Sequence, residues 1–313
     1  MRRHLSLASQ PDAKEATQLA LSSQGNALFA ALSGFFAAAG ADPGVLFSPV
    51  SLLVGGVGSG TFAYDGRCRQ PGRDAKRPRG FQDEVPLVAR VAVPGSLAAL
   101  SIACAFQPGT SLLAASRAGV SVAKSQGKKE RARMIDALAG LGARFLHEPG
   151  LKKELLTRFG PTEQGNWGPA DLIMSGDIQQ VPVLGGSAEQ EGLTLPWNNA
   201  DDKLSDMLAK EAWGRSHCIV AVDAAGLFVA LSYRALPDEL YIDEFELSMP
   251  TFAVPVLRGV PRVAPGEALR TPAALFLDRD ESGAMSGVRA IPSAEAEPLC
   301  LVRDAETREV FAA

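Results

Sequence analysis

Histidine and cysteine are scarce in this 313-residue sequence, which holds three histidines and four cysteines. The cysteines, Cys68, Cys104, Cys218 and Cys300, lie far apart with no CxxC pair. That excludes both a zinc-ligand spacing and a dense disulfide framework, so a reducing, cytoplasmic setting is expected. There is no basic stripe with interleaved aromatics, and 31 basic against 35 acidic residues give a net charge of -4. A nucleic-acid partner is not expected. Long hydrophobic runs are missing as well: the most apolar stretch, Ala27 to Ala41, is interrupted by Ser33 and two glycines. It falls short of the roughly 20 residues that a membrane-spanning helix requires. The start, Met1-Arg2-Arg3-His4-Leu5, is basic, but Asp12, Lys14 and Glu15 arrive before an apolar segment can form, so no signal peptide and no membrane association are expected.

What is present describes a globular chain. Hydrophobic residues make up 46%, charged residues 21%, and the mean hydropathy is +0.06. A chain of this length buries roughly three quarters of its unfolded surface and needs no staples. Between Ala13 and Gly40 the apolar positions recur at three and four, interrupted by Ser22-Ser23-Gln24-Gly25-Asn26. This predicts a helix, a turn with Gly25 at the C-cap, and a second helix of small residues. Leu46 to Val57 and Thr61 to Tyr64 read as a hairpin around the glycine-rich Gly55 to Gly60. A long helical stretch from Ser96 to Leu146 breaks at Pro108-Gly109 and Gln126-Gly127. Residues 149–214 carry Gly, Pro, Asn and Asp clusters and read as loops with one or two short helices. His217 to Asp223 and Leu227 to Ser232 form a second hairpin turning at Ala225-Gly226, and further strands are expected at Leu240 to Phe245, Ala273 to Leu277 and Leu299 to Arg303. Helices first and strands later suit a layered α+β fold.

Arg67 to Gln82 holds five arginines, one lysine, two prolines and two glycines, and reads as an extended surface or site-lining loop. Gly55 to Gly60 lacks the Lys-Ser/Thr of a P-loop and the spacing of a dinucleotide fingerprint. Asn198-Asn199-Ala200-Asp201-Asp202 lacks the spaced carboxylates of a calcium loop and suits a helix N-terminus better. No metal site or cofactor is expected. Cys218 follows His217 directly, and adjacent strand residues face opposite ways, which excludes a Cys-His pair.

Several segments together resemble the γ-glutamyltranspeptidase family. They are Leu7-Ala8-Ser9-Gln10-Pro11, Gln24-Gly25-Asn26-Ala27, Gly55 to Gly60, Tyr64-Asp65-Gly66-Arg67, Val91 to Ser96, Gly168-Pro169-Ala170-Asp171-Leu172 and Ser216-His217 to Asp223, all in family order. The resemblance implies an N-terminal-nucleophile hydrolase, an αββα sandwich here in truncated form. Residues 1–172 would correspond to the large subunit, 173–214 to a shortened irregular connection and 215–313 to the small subunit. In that family self-cleavage frees a threonine whose hydroxyl attacks a γ-glutamyl amide while its own α-amine serves as base. Aligned on His217, the nucleophile position holds Arg215, which cannot act as one. Ser216 carries a hydroxyl one position away, where a strand would turn it to the other face.

Glycine-pair oxyanion segments are reduced to single residues near Pro265 to Thr271 and Ser286 to Val288, and Gly185-Gly186 stands as a remnant of the family cleft. The resemblance therefore implies a pseudoenzyme, a non-catalytic binding or scaffolding subunit with a protein partner or as an oligomer. The alternative is a γ-glutamyl hydrolase or transferase that uses Ser216. Arg67 matches the arginine that holds the substrate α-carboxylate, against the plain reading of one arginine among several in a solvated loop. Gly58, Ser59 and His217 complete the candidate substrate-binding set around a glutamyl-containing small molecule or peptide. For His217, a packed strand histidine is the competing reading.

Overall fold

The computed structural model describes residues 3–56, 60–74, 84–173, 180–183, 192–197, 214–271, 273–293 and 296–313. Strand β1 (Leu5–Ala8) leads into α1 (Pro11–Gln24), which starts with proline at its first turn and stops at Gly25. Gly25 adopts φ 67°, the left-handed conformation that a residue without Cβ enters at no steric cost. Helix α2 (Ala27–Ala41) begins where the Asn26 side chain accepts a hydrogen bond from the Phe29 N–H at 2.8 Å. Every residue of α2 from Ala27 to Gly40 is buried, as an apolar-all-round helix must be. Its small residues permit a close crossing with α4 (Leu112–Ser125): a Cβ at Gly119 would run into the Phe36 carbonyl.

Strands β2 (Val50–Gly56) and β3 (Thr61–Gly66) pair antiparallel. Helices α3 (Ser96–Phe106), α5 (Lys129–Leu141) and α6 (Pro149–Phe159) complete the helical part together with α4. Short strands β4 (Gln180–Pro182) and β5 (Leu193–Thr194) precede the long hairpin β6 (Arg215–Val222) and β7 (Leu227–Ala235). The remaining strands are β8 (Tyr241–Ile242), β9 (Leu247–Ser248), β10 (Ala274–Arg279), β11 (Met285–Ile291), β12 (Leu299–Arg303) and β13 (Val310–Ala312).

Two sheets face each other. The first has six strands in the order β1-β6-β7-β2-β3-β4, the second five in the order β13-β12-β11-β10-β5. Strand alternation sorts the first sheet into two faces. Leu52, Val54, Ile219, Ala221, Leu231 and Tyr233 turn to the helices and join Leu28 and Phe35 of α2 in one core. Leu53, Val220, Val222, Phe228 and Ala230 turn to the second sheet and meet Leu275, Leu277, Val288, Ala290 and Leu301 in another. Each fully buried Val, Leu or Phe of this kind contributes about 1.5–3 kcal/mol. The outer face of the second sheet carries the Arg289–Asp278 ion pair at 2.9 Å and the Arg289 guanidinium over Phe276. The described residues thus supply the helix layer and both sheets of the expected α+β sandwich.

Two local expectations need correction. Leu240 to Phe245 is no full strand: only Tyr241 and Ile242 pair, with Ser248 and Leu247, before a turn closed by the Phe245 N–H donating to the Ile242 carbonyl. Of the two readings of the basic segment from Arg67, a surface loop or a site-lining one, the surface reading does not hold in its described part, residues 67–74. Arg69 and Val93 exchange both backbone hydrogen bonds, Leu269 donates to the Cys68 carbonyl, and Gly266 donates to the Gln70 carbonyl. With neighbours on both sides this stretch is a buried connector, and Arg69 and Gln70 are buried with it. No helix among the described residues is long and apolar enough to cross a membrane.

Candidate active site

The face of the first sheet that looks toward the second is apolar in its middle and polar at one end. Cross-strand pairing sets a row there: Cys218 lies opposite Ser232, Ser232 opposite Ser51, and Ser51 opposite Asp65. One step further along the strands Ser216 lies opposite Arg234. Residues two apart share a face, so Ser216 lies on the side of Cys218 and Val220, between the sheets. Arg215 and His217 lie on the helix side, and Arg215 is exposed. The one-residue offset between Arg215 and Ser216 therefore puts the hydroxyl, and not the guanidinium, on the face that carries Asp65.

Ser216 is 8% exposed, and its Oγ is buried without a hydrogen-bond partner. A buried orphan hydroxyl costs about 1–3 kcal/mol; Ser6, Thr61, Tyr64 and Thr110 share this state, and Ser216 is set apart by lying at the Asp65 end of the face between the sheets. Its cross-strand neighbour Arg234 is 2% exposed and donates from Nη1 to the Gly214 carbonyl at 2.9 Å. Burial lowers the Arg234 pKa to about 10. Gly214 takes φ 77°, and a Cβ there would collide with the Ala235 carbonyl, so the chain enters β6 through a position that only glycine fits.

Three strand spacings of about 4.8 Å separate Ser216 from the Asp65 end of the row, on the order of 14 Å. There the Asp65 carboxylate receives Arg67 side-on, Nε to Oδ1 at 2.8 Å and Nη2 to Oδ2 at 2.9 Å, and Arg69 Nη2 at 3.2 Å. Burial pushes the Asp65 carboxyl up, but the Arg67 hydrogen bonds and the charges of Arg69 and Arg67 outweigh it and hold it below the usual carboxylate range. The Arg67 guanidinium also lies over the Trp197 ring, 5.0 Å from its centroid. Asp65 thus occupies the Nε edge of Arg67, which leaves the Nη1/Nη2 edge of a five-donor group for a second carboxylate. The connector beyond is anchored by Asp171, whose carboxylate accepts the backbone N–H groups of Gly72, Arg73 and Gly168 at 2.9–3.2 Å. Burial nevertheless raises the Asp171 pKa.

His217 sits on the opposite face of β6. Its ring stacks on Tyr233 with centroids 5.6 Å apart, and Nδ1 lies 3.3 Å from the Ser9 hydroxyl. Ser9 Oγ also accepts the Cys218 N–H at 3.0 Å, continuing with a side chain the pairing that β1 makes with β6. Burial, aided by the Arg215 charge, depresses the His217 pKa to about 4, so the ring is neutral at physiological pH. It is separated from Ser216 by the strand itself and cannot take its proton.

The structure therefore brings Ser216 and Arg67 to one end of one face and leaves His217 on the other. Gly58 and Ser59 lie outside the described residues, as do Arg77, Arg79, Gly185-Gly186 and the Asn198 to Asp202 cluster. The flanking Gly56 pairs with Leu227, at the far end of the sheet from Ser216. Sequence reasoning passed over Asp65, Ser51, Ser232, Arg234 and Trp197 as site residues. Asp65 was visible as the first residue of Asp65-Gly66-Arg67, whereas the other four are joined only by strand register and packing. Among the described residues no group of three or more His, Cys, Asp or Glu side chains could hold a metal ion.

No protein-family model matches the chain, and no curated protein matches it in sequence. Solved structures do match in shape. A cephalosporin acylase from Bacillus halodurans aligns with a TM-score of 0.68 at 12% identity, over 91% of this chain and 77% of the acylase. A structure of LmbA2991 aligns with a TM-score of 0.64 at 14% identity, over 93% of this chain and 78% of the other. A γ-glutamyltranspeptidase from Helicobacter pylori aligns over 58% of this chain and 66% of its own, at 17% identity and a TM-score of 0.44. These matches show the fold, a sandwich of the N-terminal-nucleophile hydrolase type, of which the described residues supply one helix layer and both sheets.

Proposed function

We propose that the chain is an amide hydrolase or acyltransferase in which Ser216 becomes an N-terminal nucleophile and Arg67 anchors a carboxylate of the acyl group, as in a γ-glutamyl amide. The observation that carries this reading is the buried, unpartnered Ser216 Oγ on the sheet face that also holds the Arg67–Asp65 pair. In the activation step Ser216 Oγ adds to the Arg215 carbonyl, the Arg215–Ser216 C–N bond breaks, and the resulting ester is hydrolysed by water. The products are an Arg215 carboxylate and a free Ser216 α-amine. In turnover that amine accepts the hydroxyl proton as Oγ attacks the substrate amide, and the proton leaves with the departing amine. Water or an acceptor amine then takes the acyl group from Ser216. Arg234 beside Ser216 supplies positive charge near the developing oxyanion.

A second reading is favoured by Arg215, which pairs with Ala235 in an unbroken strand. In that reading the polypeptide stays whole, the Arg67 subsite binds a carboxylate ligand without turnover, and the protein serves as the binding subunit of a complex or oligomer.

Release of 4-nitroaniline from γ-glutamyl-4-nitroanilide and glutaryl-4-nitroanilide separates the two. The enzyme reading predicts turnover by the wild type, none by Ser216→Ala, and a raised KM for Arg67→Ala. Equal rates for the wild type and Ser216→Ala would overturn it.

A further inference from the structure

A cavity of about 450 Å³ opens on the helical side of the molecule, between α6, the turn that follows it and β8, and none of its lining residues belongs to the six-stranded sheet. Its volume is in the range of small-molecule sites. Phe159 and Ile242 are buried apolar residues of its lining, and Tyr241 is a half-buried aromatic one. The charges around it are unbalanced. Arg158 is engaged by two carboxylates, Glu154 through Nε and both oxygens of Glu244 through Nη2 at 2.7 Å. Glu163 on the rim is exposed, and among the described residues its carboxylate has no hydrogen bond or ion pair. Among the lining residues one guanidinium thus stands against two carboxylates, Glu154 and Glu163, a net charge of -1, and Glu244 adds a third carboxylate just outside the lining.

We propose that this cavity binds a small organic cation, an ammonium group carried on a compact apolar body. The apolar body would lie on Phe159 and Ile242, while the ammonium would sit against the Tyr241 ring and the Glu163 carboxylate. Both contacts favour a cation over a neutral molecule of the same shape. Arg158 is engaged by Glu154 through Nε and by Glu244 through Nη2, and the two carboxylates offset its charge toward a cationic ligand.

The site is independent of Ser216, so its test does not depend on catalysis. Phenethylammonium chloride, neutral 2-phenylethanol and anionic phenylacetate are titrated calorimetrically into the full chain and into Glu163→Gln, an exposed substitution that leaves the fold intact. The expected result is saturable binding of phenethylammonium, about tenfold tighter than 2-phenylethanol, with no binding of phenylacetate. Glu163→Gln should remove most of that tenfold preference, and Tyr241→Leu should weaken the cation more than the alcohol. Equal binding of cation and alcohol, an unchanged preference in Glu163→Gln, or no saturable binding at millimolar concentration would overturn the proposal.

Discussion

Asp223 and Asp65 are both buried carboxylates of the six-stranded sheet, at opposite ends, and they are satisfied in different ways. Asp223 closes the β6–β7 turn by accepting the Gly226 and Leu227 N–H groups at 3.0 Å each and, from the start of α2, the Ala27 N–H at 3.1 Å. All its partners are backbone. Asp65 accepts one backbone N–H, that of Arg67 at 3.1 Å, and is otherwise held by the guanidinium groups of Arg67 and Arg69. Backbone donors fix a carboxylate within the fold, and nothing is left over to bind anything else. Guanidinium donors exceed what one carboxylate can accept, and that surplus is why the carboxylate subsite is proposed at the Asp65 end and not at the Asp223 end.

The largest effect separating the two ends is in stability. Asp223→Ala orphans three buried N–H groups and is expected to cost roughly 4 kcal/mol by denaturant unfolding, without changing the carboxylate preference of any surviving ligand binding. Asp65→Asn should cost less in stability yet change ligand recognition, because it removes the carboxylate charge and the oxygen that accepts Nη2 of Arg67 and Arg69. Equal losses of stability and unchanged recognition would break the comparison.

The next effect is in pH dependence, and it concerns the two faces of β6. His217 has a folded pKa of about 4 against 6.5 for the exposed group, so the unfolded chain takes up more protons between these values. Stability from the neutral ring is full above pH 6.5 and is lost as pH falls toward 4, by up to about 3 kcal/mol. His217→Gln should flatten that window in a series of unfolding curves. Asp65 has the same sign at lower pH: its contribution is full above the ordinary carboxylate pKa and is lost as pH falls through its depressed folded value.

Smaller effects sharpen the Arg67 end. Arg67→Lys keeps the charge but loses the two-edged fork, and should weaken binding of glutarate about tenfold with little change in unfolding midpoint. Trp197→Leu removes the ring under the guanidinium and should cost about 1 kcal/mol in the same titration. An effect of Trp197→Leu larger than that of Arg67→Lys would assign the subsite to the aromatic ring.

These contrasts also explain what was legible in the sequence. Gly25 between two periodic stretches located the α1–α2 break, and Pro108-Gly109 and Gln126-Gly127 separated α3, α4 and α5, because local turn chemistry decides such boundaries. The β6–β7 hairpin was visible in its apolar run and its Ala225-Gly226 turn. Strand β1 escaped, since Leu5–Ala8 becomes a strand only by pairing with β6, and so did β11, whose Met285-Ser286-Gly287 start has no strand-like pattern. The candidate site was legible in its residues but not in its geometry. Arg67 and Ser216 stood out as residues, but their shared face follows from a register that joins β6, β7, β2 and β3, strands far apart in the sequence. The same register separates Ser216 from Arg215.

The central claim is that Ser216 is generated as an N-terminal nucleophile. It is tested most directly by the intact mass and N-terminal sequence of the purified protein after prolonged incubation, alongside Ser216→Ala. Two fragments meeting at Ser216 in the wild type, with the variant whole, is the predicted result. A single species near 32.8 kDa in both would contradict it and leave the carboxylate-binding subunit as the reading to pursue.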